Sequence, residues 1–238
     1  MDTTGYTTLT RQSGLMHEMR ALANNIANLG TTGFRAESVI FTEHVRALGE
    51  SAGSLSMATA AAHATAAGQG ALTRTGGAFD LAIEGPGFFQ LETPAGPRLT
   101  RAGAFLPNAA GELSTPDGYR LLDAGGAPIF VPPDAAAVTV AADGTLSADG
   151  RPLAQIGLVQ PESPVDLRRE DGVRFRADGP LAPVASPVIQ QGFLEQSNVD
   201  PVIETARMIE VQRGYELGQA FLEREDERIR NVLRTLGK

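Results

Sequence analysis

Apolar positions near the N-terminus recur in steps of four and three: Leu15, Met19, Leu22, Ile26 and Leu29. That spacing lays them in one narrow stripe and predicts a helix over Tyr6 to Leu29, about 36 Å long at roughly 1.5 Å per residue. Gly30 follows as the expected left-handed residue past the helix, with Thr31, Thr32 and Gly33 continuing the turn. The C-terminal end repeats the device. Met208, Val211, Tyr215, Gly218, Leu222, Glu225, Ile229, Val232 and Leu236 step in heptads, with Gly218 and Glu225 reading as defects. Glu223, Arg224, Asp226, Glu227, Arg228 and Arg230 flank them, the charge mixture of a solvated coiled-coil surface. A stripe this narrow buries little by itself, so each end predicts a helix that needs a partner helix.

Between Gly76 and Gln190 the texture changes to short alternating runs cut by turn residues. Asp-Gly pairs begin at Asp117, Asp143, Asp149, Asp171 and Asp178, and the runs Leu81 to Leu91, Arg98 to Leu106, Tyr119 to Leu122, Val138 to Val140 and Ile156 to Val159 read as strands. Residues 108–118 and 141–150 echo each other as strand stubs between turns. Ser51 to Thr73 is uncharged and rich in Ala, Ser and Thr except near its end, and reads as a linker, with a short helix over Met57 to Ala67 as the alternative. The expected fold class is α+β: N- and C-terminal coiled-coil-type helices flank a central antiparallel all-β domain. The expected division is an N-terminal helix in 1–35, an extended connector in 36–75, the β domain in 76–190 and a C-terminal helix in 191–238.

Composition narrows the chemistry. Across 238 residues, 28 acidic side chains oppose 20 basic ones, a net charge of -8 that disfavours binding to nucleic acid or anionic lipid. Cysteine is absent and the single lysine is Lys238, which removes thiolate, Schiff-base and phosphate-loop chemistry. Histidine is confined to His17, His44 and His63. The opening segment lacks the basic start and continuous apolar run of a secretory signal, and no run is apolar and long enough to span a membrane. No catalytic residue, cofactor, metal, small-molecule substrate, nucleic acid or membrane insertion is therefore expected.

Three motifs invite chemical readings and each has a plainer one. Gly49 to Gly53 matches G-x-S-x-G, but it follows a helix-like run, Glu43 to Leu48, and no acid lies between Ser51 and His63. Gly85-Pro86-Gly87 opens like a dinucleotide loop, yet the third glycine is replaced by Gln90 and a strand-like run follows, so a tight turn feeding Phe88 and Phe89 into the core is preferred. Asp117, Asp123, Asp143 and Asp149 could pair as glycosidase carboxylates, but three of them precede glycine, where Asp forms turns. Asn24, Asn25 and Asn28 are unfavourable inside a helix; they are either exposed polar residues or amides that set register between helices.

The run from Leu22 to Arg35, LANNIANLGTTGFR, resembles the N-terminal signature of the flagellar basal-body rod and hook proteins, the axial family of the bacterial flagellum. Leu81 to Phe89, Leu99 to Phe105, Gly111-Glu112-Leu113 and Asp117-Gly118-Tyr119 are similar to the family's β-domain signature. Gly192 to Asp200, then Glu204, Met208, Ile209, Gln212-Arg213 and Tyr215-Glu216, resemble its C-terminal motif. The resemblance implies a non-enzymatic structural subunit of the rod that crosses the periplasm, most like its proximal members, with distal rod or hook proteins and an unrelated β-domain binding module as alternatives. It implies export through the flagellar type III apparatus without a cleaved signal peptide, and other rod subunits and copies of itself as partners. The implied N-terminal subunit interface is Leu15, Met19, Leu22, Asn24, Asn25, Ile26, Asn28, Leu29, Gly33 and Phe34. The implied C-terminal interface is Asn198, Val199, Met208, Val211, Gln212, Tyr215, Leu222, Ile229, Val232 and Leu236.

Overall fold

The computed structural model describes residues 3–47 and 54–236. They form two compact units, one from the described parts of 1–27, 37–64 and 200–238 and one from 28–36 with 65–199.

The first unit holds helix α1 (Thr3–Ala27), helix α2 (Pro201–Leu236) and a two-stranded sheet of β1 (Glu37–Ala47) and β2 (Ser54–Thr65). The helices pack antiparallel: Asn25 reaches Glu204, Arg207 pairs with Glu18 at 2.7 Å, and Gly214 and Gly218 face Leu15 and Gln12. A Cβ at Gly218 would come within 3.3 Å of the Gln12 side chain. Gly218 is therefore no defect in the heptad stripe but a position where the two helices approach closely. The start of α2 is chemically well marked. The Asp200 carboxylate accepts hydrogen bonds from the amides of Val202 (2.9 Å) and Ile203 (3.2 Å), Pro201 occupies the first helical position, and Glu204 lies in the first turn.

Several expectations require correction. Residues 37–47 and 54–65 pair as strands where a connector, a helix-like Glu43 to Leu48 and an optional helix over Met57 to Ala67 were expected. In β1 the β-branched and aromatic run Val39-Ile40-Phe41-Thr42 favours strand, and pairing with it overrides the weak helical preference of the alanines in β2. The sheet also meets α1, since a Cβ on Gly14 would sit 2.7 Å from the Phe41 ring. The C-terminal helix begins at Pro201 rather than near 191: Ile189–Gln191 and Phe193–Glu195 are strands, and Gly192 between them has a φ of 77°. A proline disfavours helical backbone in the residue before it, so the helix has no route further back.

The second unit is antiparallel β. Its largest sheet runs, in order, through Leu167–Asp171, Arg174–Ala177, Gly96–Thr100, Phe88–Thr93, Arg120–Leu121, Leu113–Ser114 and Leu106–Pro107, with Leu158–Pro161 also paired to Phe88–Thr93. A three-stranded sheet joins Val138–Val140, Thr145–Ala148 and Arg151–Gln155. The echoed stubs Leu113–Ser114 and Thr145–Ala148 are both strands entered through turns, closed by hydrogen bonds from Gly111 to Asn108 and from Gly144 to Ala141. The expected strand Leu81 to Leu91 is broken at Glu84 to Gly87, where Gly85 and Gly87 take φ of 92° and 111°, and Arg98 to Leu106 is likewise divided. That break is the tight turn expected of Gly85-Pro86-Gly87. Beyond it Phe89 is fully buried and packs edge-on against Phe105 at 5.3 Å, within a core that includes Leu81, Ile83, Leu91, Leu113, Leu121, Leu146 and Ile156. Phe89→Ala should lower the stability of the second unit by about 3–5 kcal/mol, read as a shift of its urea unfolding midpoint; a loss near zero would show that this ring is not central to the core.

Candidate subunit interface

The stripe residues separate into those occupied within the chain and those left outward. In α1, Leu22 and Asn25 are buried, while Leu15, Met19, Asn24 and Ile26 are half-buried. The Asn25 amide behaves like a strand residue toward β1: its Oδ1 accepts from the Glu37 N–H at 2.8 Å and its Nδ2 donates to the Glu37 carbonyl at 2.8 Å and to Glu204 of α2 at 3.1 Å. It thus ties α1 to both the sheet and α2 of the same chain. In α2, Val211 is buried and Met208, Tyr215 and Leu222 are half-buried. Gln212 is exposed and donates to Glu216 within α2 at 3.0 Å. Farther along, Ile229 and Val232 are each 44% exposed. Leu236 closes α2, and its side chain lies outside the described residues, as does the G-x-S-x-G run 49–53. The stripe underestimates the apolar surface of α2: Ile203, Ile209, Leu217, Phe221 and Leu233 are also exposed, off the heptad positions. A groove of about 310 Å³ between the helices is lined by Thr8, Gln12, Leu15, Leu217, Gly218 and Phe221, among others.

The remaining predicted residues belong to the second unit. Asn28 accepts a hydrogen bond from the Thr31 hydroxyl at 3.0 Å, and Leu29 is half-buried. The left-handed residue of the turn is Gly33, with φ of 71°, rather than Gly30. The tertiary reason is contact: a Cβ on Gly33 would lie 2.3 Å from the backbone nitrogen of Ala102, whereas Gly30 has open space around it. Phe34 is fully buried, and the guanidinium of Arg169 sits 4.5 Å from its ring and 4.7 Å from that of Phe175. Asn198 bridges two segments. Its Oδ1 accepts from the Ala36 N–H at 2.6 Å and its Nδ2 donates to the Gly68 carbonyl at 2.7 Å. Val199 beside it is buried.

Around these residues lies a charge cluster that sequence reasoning missed. Arg35, Arg101 and Glu195 are 3%, 4% and 1% exposed; Glu195 meets Arg35 at 2.9 Å and Arg101 at 3.2 Å. Glu195 also accepts the Gly70 N–H at 3.1 Å, and its own carbonyl accepts from Gly33 at 2.7 Å. Arg35 donates to the carbonyls of Ala67 and Gly68, and Arg101 to those of Ile83 and Gly85. Burial pulls the Arg101 guanidinium down to about 10, against the opposing pull of Glu195 and aided by the nearby Arg35 charge. Arg35 is lowered for the same first reason, desolvation, which the charge and hydrogen bond of Glu195 oppose. The signal available in the sequence was weak: three charged residues inside otherwise apolar and glycine-rich motifs, far apart along the chain.

The carboxylates weighed as a glycosidase pair are engaged in turns. Asp123 Oδ1 accepts from the amides of Gly125 and Ala127 at 2.8 Å each, and Asp143 Oδ1 accepts from Thr145 at 2.9 Å, which holds its carboxyl below the usual range. Asp149 accepts from Ala137 at 3.0 Å while itself adopting a φ of 50°.

Comparison with known proteins bears on the arrangement directly. A family described as the flagellar hook protein FlgE/F/G D1 domain matches residues 82–148, and one described as the flagellar basal body rod FlgEFG protein C-terminal region matches 190–235. The flagellar basal-body rod protein FlgF of Caulobacter vibrioides is 39% identical, with 100% of this chain and 99% of the relative covered. The chain belongs to the flagellar basal-body rod protein family. Its similarity to other rod proteins spans both units. FlgF of Mesorhizobium japonicum is 36% identical over 98% of this chain and 97% of the relative, and the rod protein FlgG of Bacillus subtilis is 30% identical over 96% and 97%. In this rod protein the two matched regions contribute Arg101 and Glu195 to the charge cluster, while Arg35 comes from the N-terminal signature. The three stretches that carry the family resemblance therefore meet in one place. Gly33→Ala should destabilise the second unit by more than about 2 kcal/mol, because it combines left-handed backbone with a backbone clash; Gly30→Ala should fall within about 0.5 kcal/mol of the parent. Equal unfolding midpoints for the two variants would remove Gly33 from this role.

Proposed function

We propose that the chain is a non-enzymatic structural subunit of the flagellar basal-body rod, in its proximal part, and that it polymerises helically through its terminal helices with copies of itself and with other rod subunits. The observation that carries this reading is the apolar surface of α2. Its C-terminal turns present Ile229, Val232 and Leu233 to solvent, Leu233 with 64% of its surface exposed, on a helix whose earlier turns already lie against α1. A row of large apolar side chains on a helix rich in charge is a surface suited to coiled-coil packing against another helix. The higher identity to relatives named FlgF than to those named FlgG favours the proximal rod over the distal rod.

Assembly would proceed by side-by-side packing of α1–α2 pairs. Among the described residues no helix is long and apolar enough to cross a membrane. In this reading the subunit reaches the periplasm through the flagellar type III export apparatus. The interface assigned to Leu22, Asn25 and Val211 is best understood as indirect. These residues are buried within the chain and would shape the helix pair that neighbours recognise. The direct contacts fall to Leu217, Phe221, Ile229, Val232 and Leu233.

Ile229→Asp together with Leu233→Asp should abolish rod assembly and motility while leaving the circular dichroism and unfolding midpoint of the purified protein unchanged, because both sites are already solvated in the free chain. Leu22→Asp should instead lower monomer stability by several kcal/mol. Normal motility in bacteria carrying the double aspartate variant would eliminate this surface as an assembly contact.

A further inference from the structure

The cluster of Arg35, Arg101 and Glu195 has a charge imbalance with a consequence for how the second unit closes. Two cations and one anion are nearly solvent-free, and the excess positive charge is met by the carbonyls of Ala67, Gly68, Ile83 and Gly85. Remove the anion and two guanidiniums are left buried together, each disfavouring the other's charge. Arg35 and Glu195 reside on segments that border the helices in sequence: 28–36 follows α1, which ends at Ala27, and 193–199 precedes α2, which starts at Pro201. These two segments are also stitched directly, by Gly33 N–H to the Glu195 carbonyl at 2.7 Å, Asn198 N–H to the Phe34 carbonyl at 3.3 Å and Ala36 N–H to the Asn198 side chain at 2.6 Å. The segment 66–70 joins them through Gly70 N–H to Glu195 and Gly68 O from Asn198.

We propose that these three segments form an electrostatic clasp that opens and closes as one unit on the β core, with Glu195 as its obligatory counter-ion. Arg35 cannot be buried beside Arg101 until Glu195 is docked, so the segment after α1 and the segment before α2 take their places together. The Glu195 strand lies late in the chain, paired with Leu72–Arg74, and closure therefore waits for the C-terminal part of the polypeptide. The β core does not share this dependence: Phe89, Phe105, Leu113 and Leu121 are buried by strands that lie between the clasp segments in sequence. The clasp is thus a conformational device that couples the chain on both sides of the β unit, separate from the packing that holds the unit's interior.

The test is amide hydrogen exchange on the full-length protein, comparing the parent with Glu195→Gln, Arg35→Gln and the double variant. Glutamine retains the size of the side chain and an acceptor for Gly70 while removing the charge. Glu195→Gln should speed exchange in 28–36, 66–70 and 193–199 together, by on the order of a hundredfold, the factor that about 3 kcal/mol for a stranded buried charge converts to. Amides of 88–91 and 113–121 should remain protected. Adding Arg35→Gln to Glu195→Gln should slow exchange again by about tenfold or more, since it removes the repulsion between the guanidiniums. Three results would overturn the proposal: faster exchange confined to 193–199, loss of protection throughout the core strands, or a double variant that exchanges faster than Glu195→Gln alone.

Discussion

The segments that meet around Arg35, Gly70 and Glu195 in the second unit keep a carboxylate out of water between two guanidiniums. Burying an ion pair rarely adds net stability, because desolvation offsets much of the Coulombic gain, and burying three charges with a net positive excess is harder still. What makes the arrangement tenable is that Glu195 and the two arginines each find further polar partners, backbone carbonyls for the cations and the Gly70 amide for the anion. The cluster joins segments near residues 35, 70, 101 and 195 through these charges, although Nε of both arginines is buried without a hydrogen-bond partner. Gly33 and Gly70 are required in the same place by crowding, since a Cβ at Gly70 would lie 1.9 Å from the Gln196 carbonyl oxygen. Glycine is needed here because backbone approaches backbone, and only the absence of a side chain permits the hydrogen bonds that surround the charges.

The family motifs acquire a physical meaning from this geometry. Runs that look like separate signatures bring Gly33 to Arg35, Arg101 and Glu195 together within the second unit, with the Arg169 guanidinium over the Phe34 ring and Asn198 bridging Ala36 and Gly68. Motif residues in a polymer-forming family are readily taken as intersubunit contacts. Here Asn25, Phe34, Asn198 and Val199 are engaged inside their own chain. The outward surface of α2 is chemically different: apolar side chains such as Leu217 and Leu233 stand among exposed charges, and no polar motif marks them.

Much of the architecture was legible because it rests on local periodicity. The heptad steps from Met208 to Leu236, the Asp-Gly turns and the alternating runs around Phe89 and Leu99 report directly on which backbone state buries apolar atoms. Legibility failed where local preference and tertiary pairing disagree. The alanines of residues 54–65 favour helix by small increments, and β1 recruits them into a strand. Gly218 looked like a flaw in a stripe because its merit is a close approach to Gln12, more than two hundred positions earlier.

The amino-acid sequence alone determined the two terminal helices, the antiparallel β character of the middle and the exclusion of thiolate and lysine-based chemistry, since each follows from residue type and spacing within a short window. Only the tertiary structure decided that the helices pack antiparallel on each other, that Gly33 rather than Gly30 takes the left-handed turn, and that Arg35, Arg101 and Glu195 share one buried site. Those three outcomes depend on which distant atoms come within a few ångströms, where desolvation and backbone contact govern, and no spacing along the chain encodes that distance.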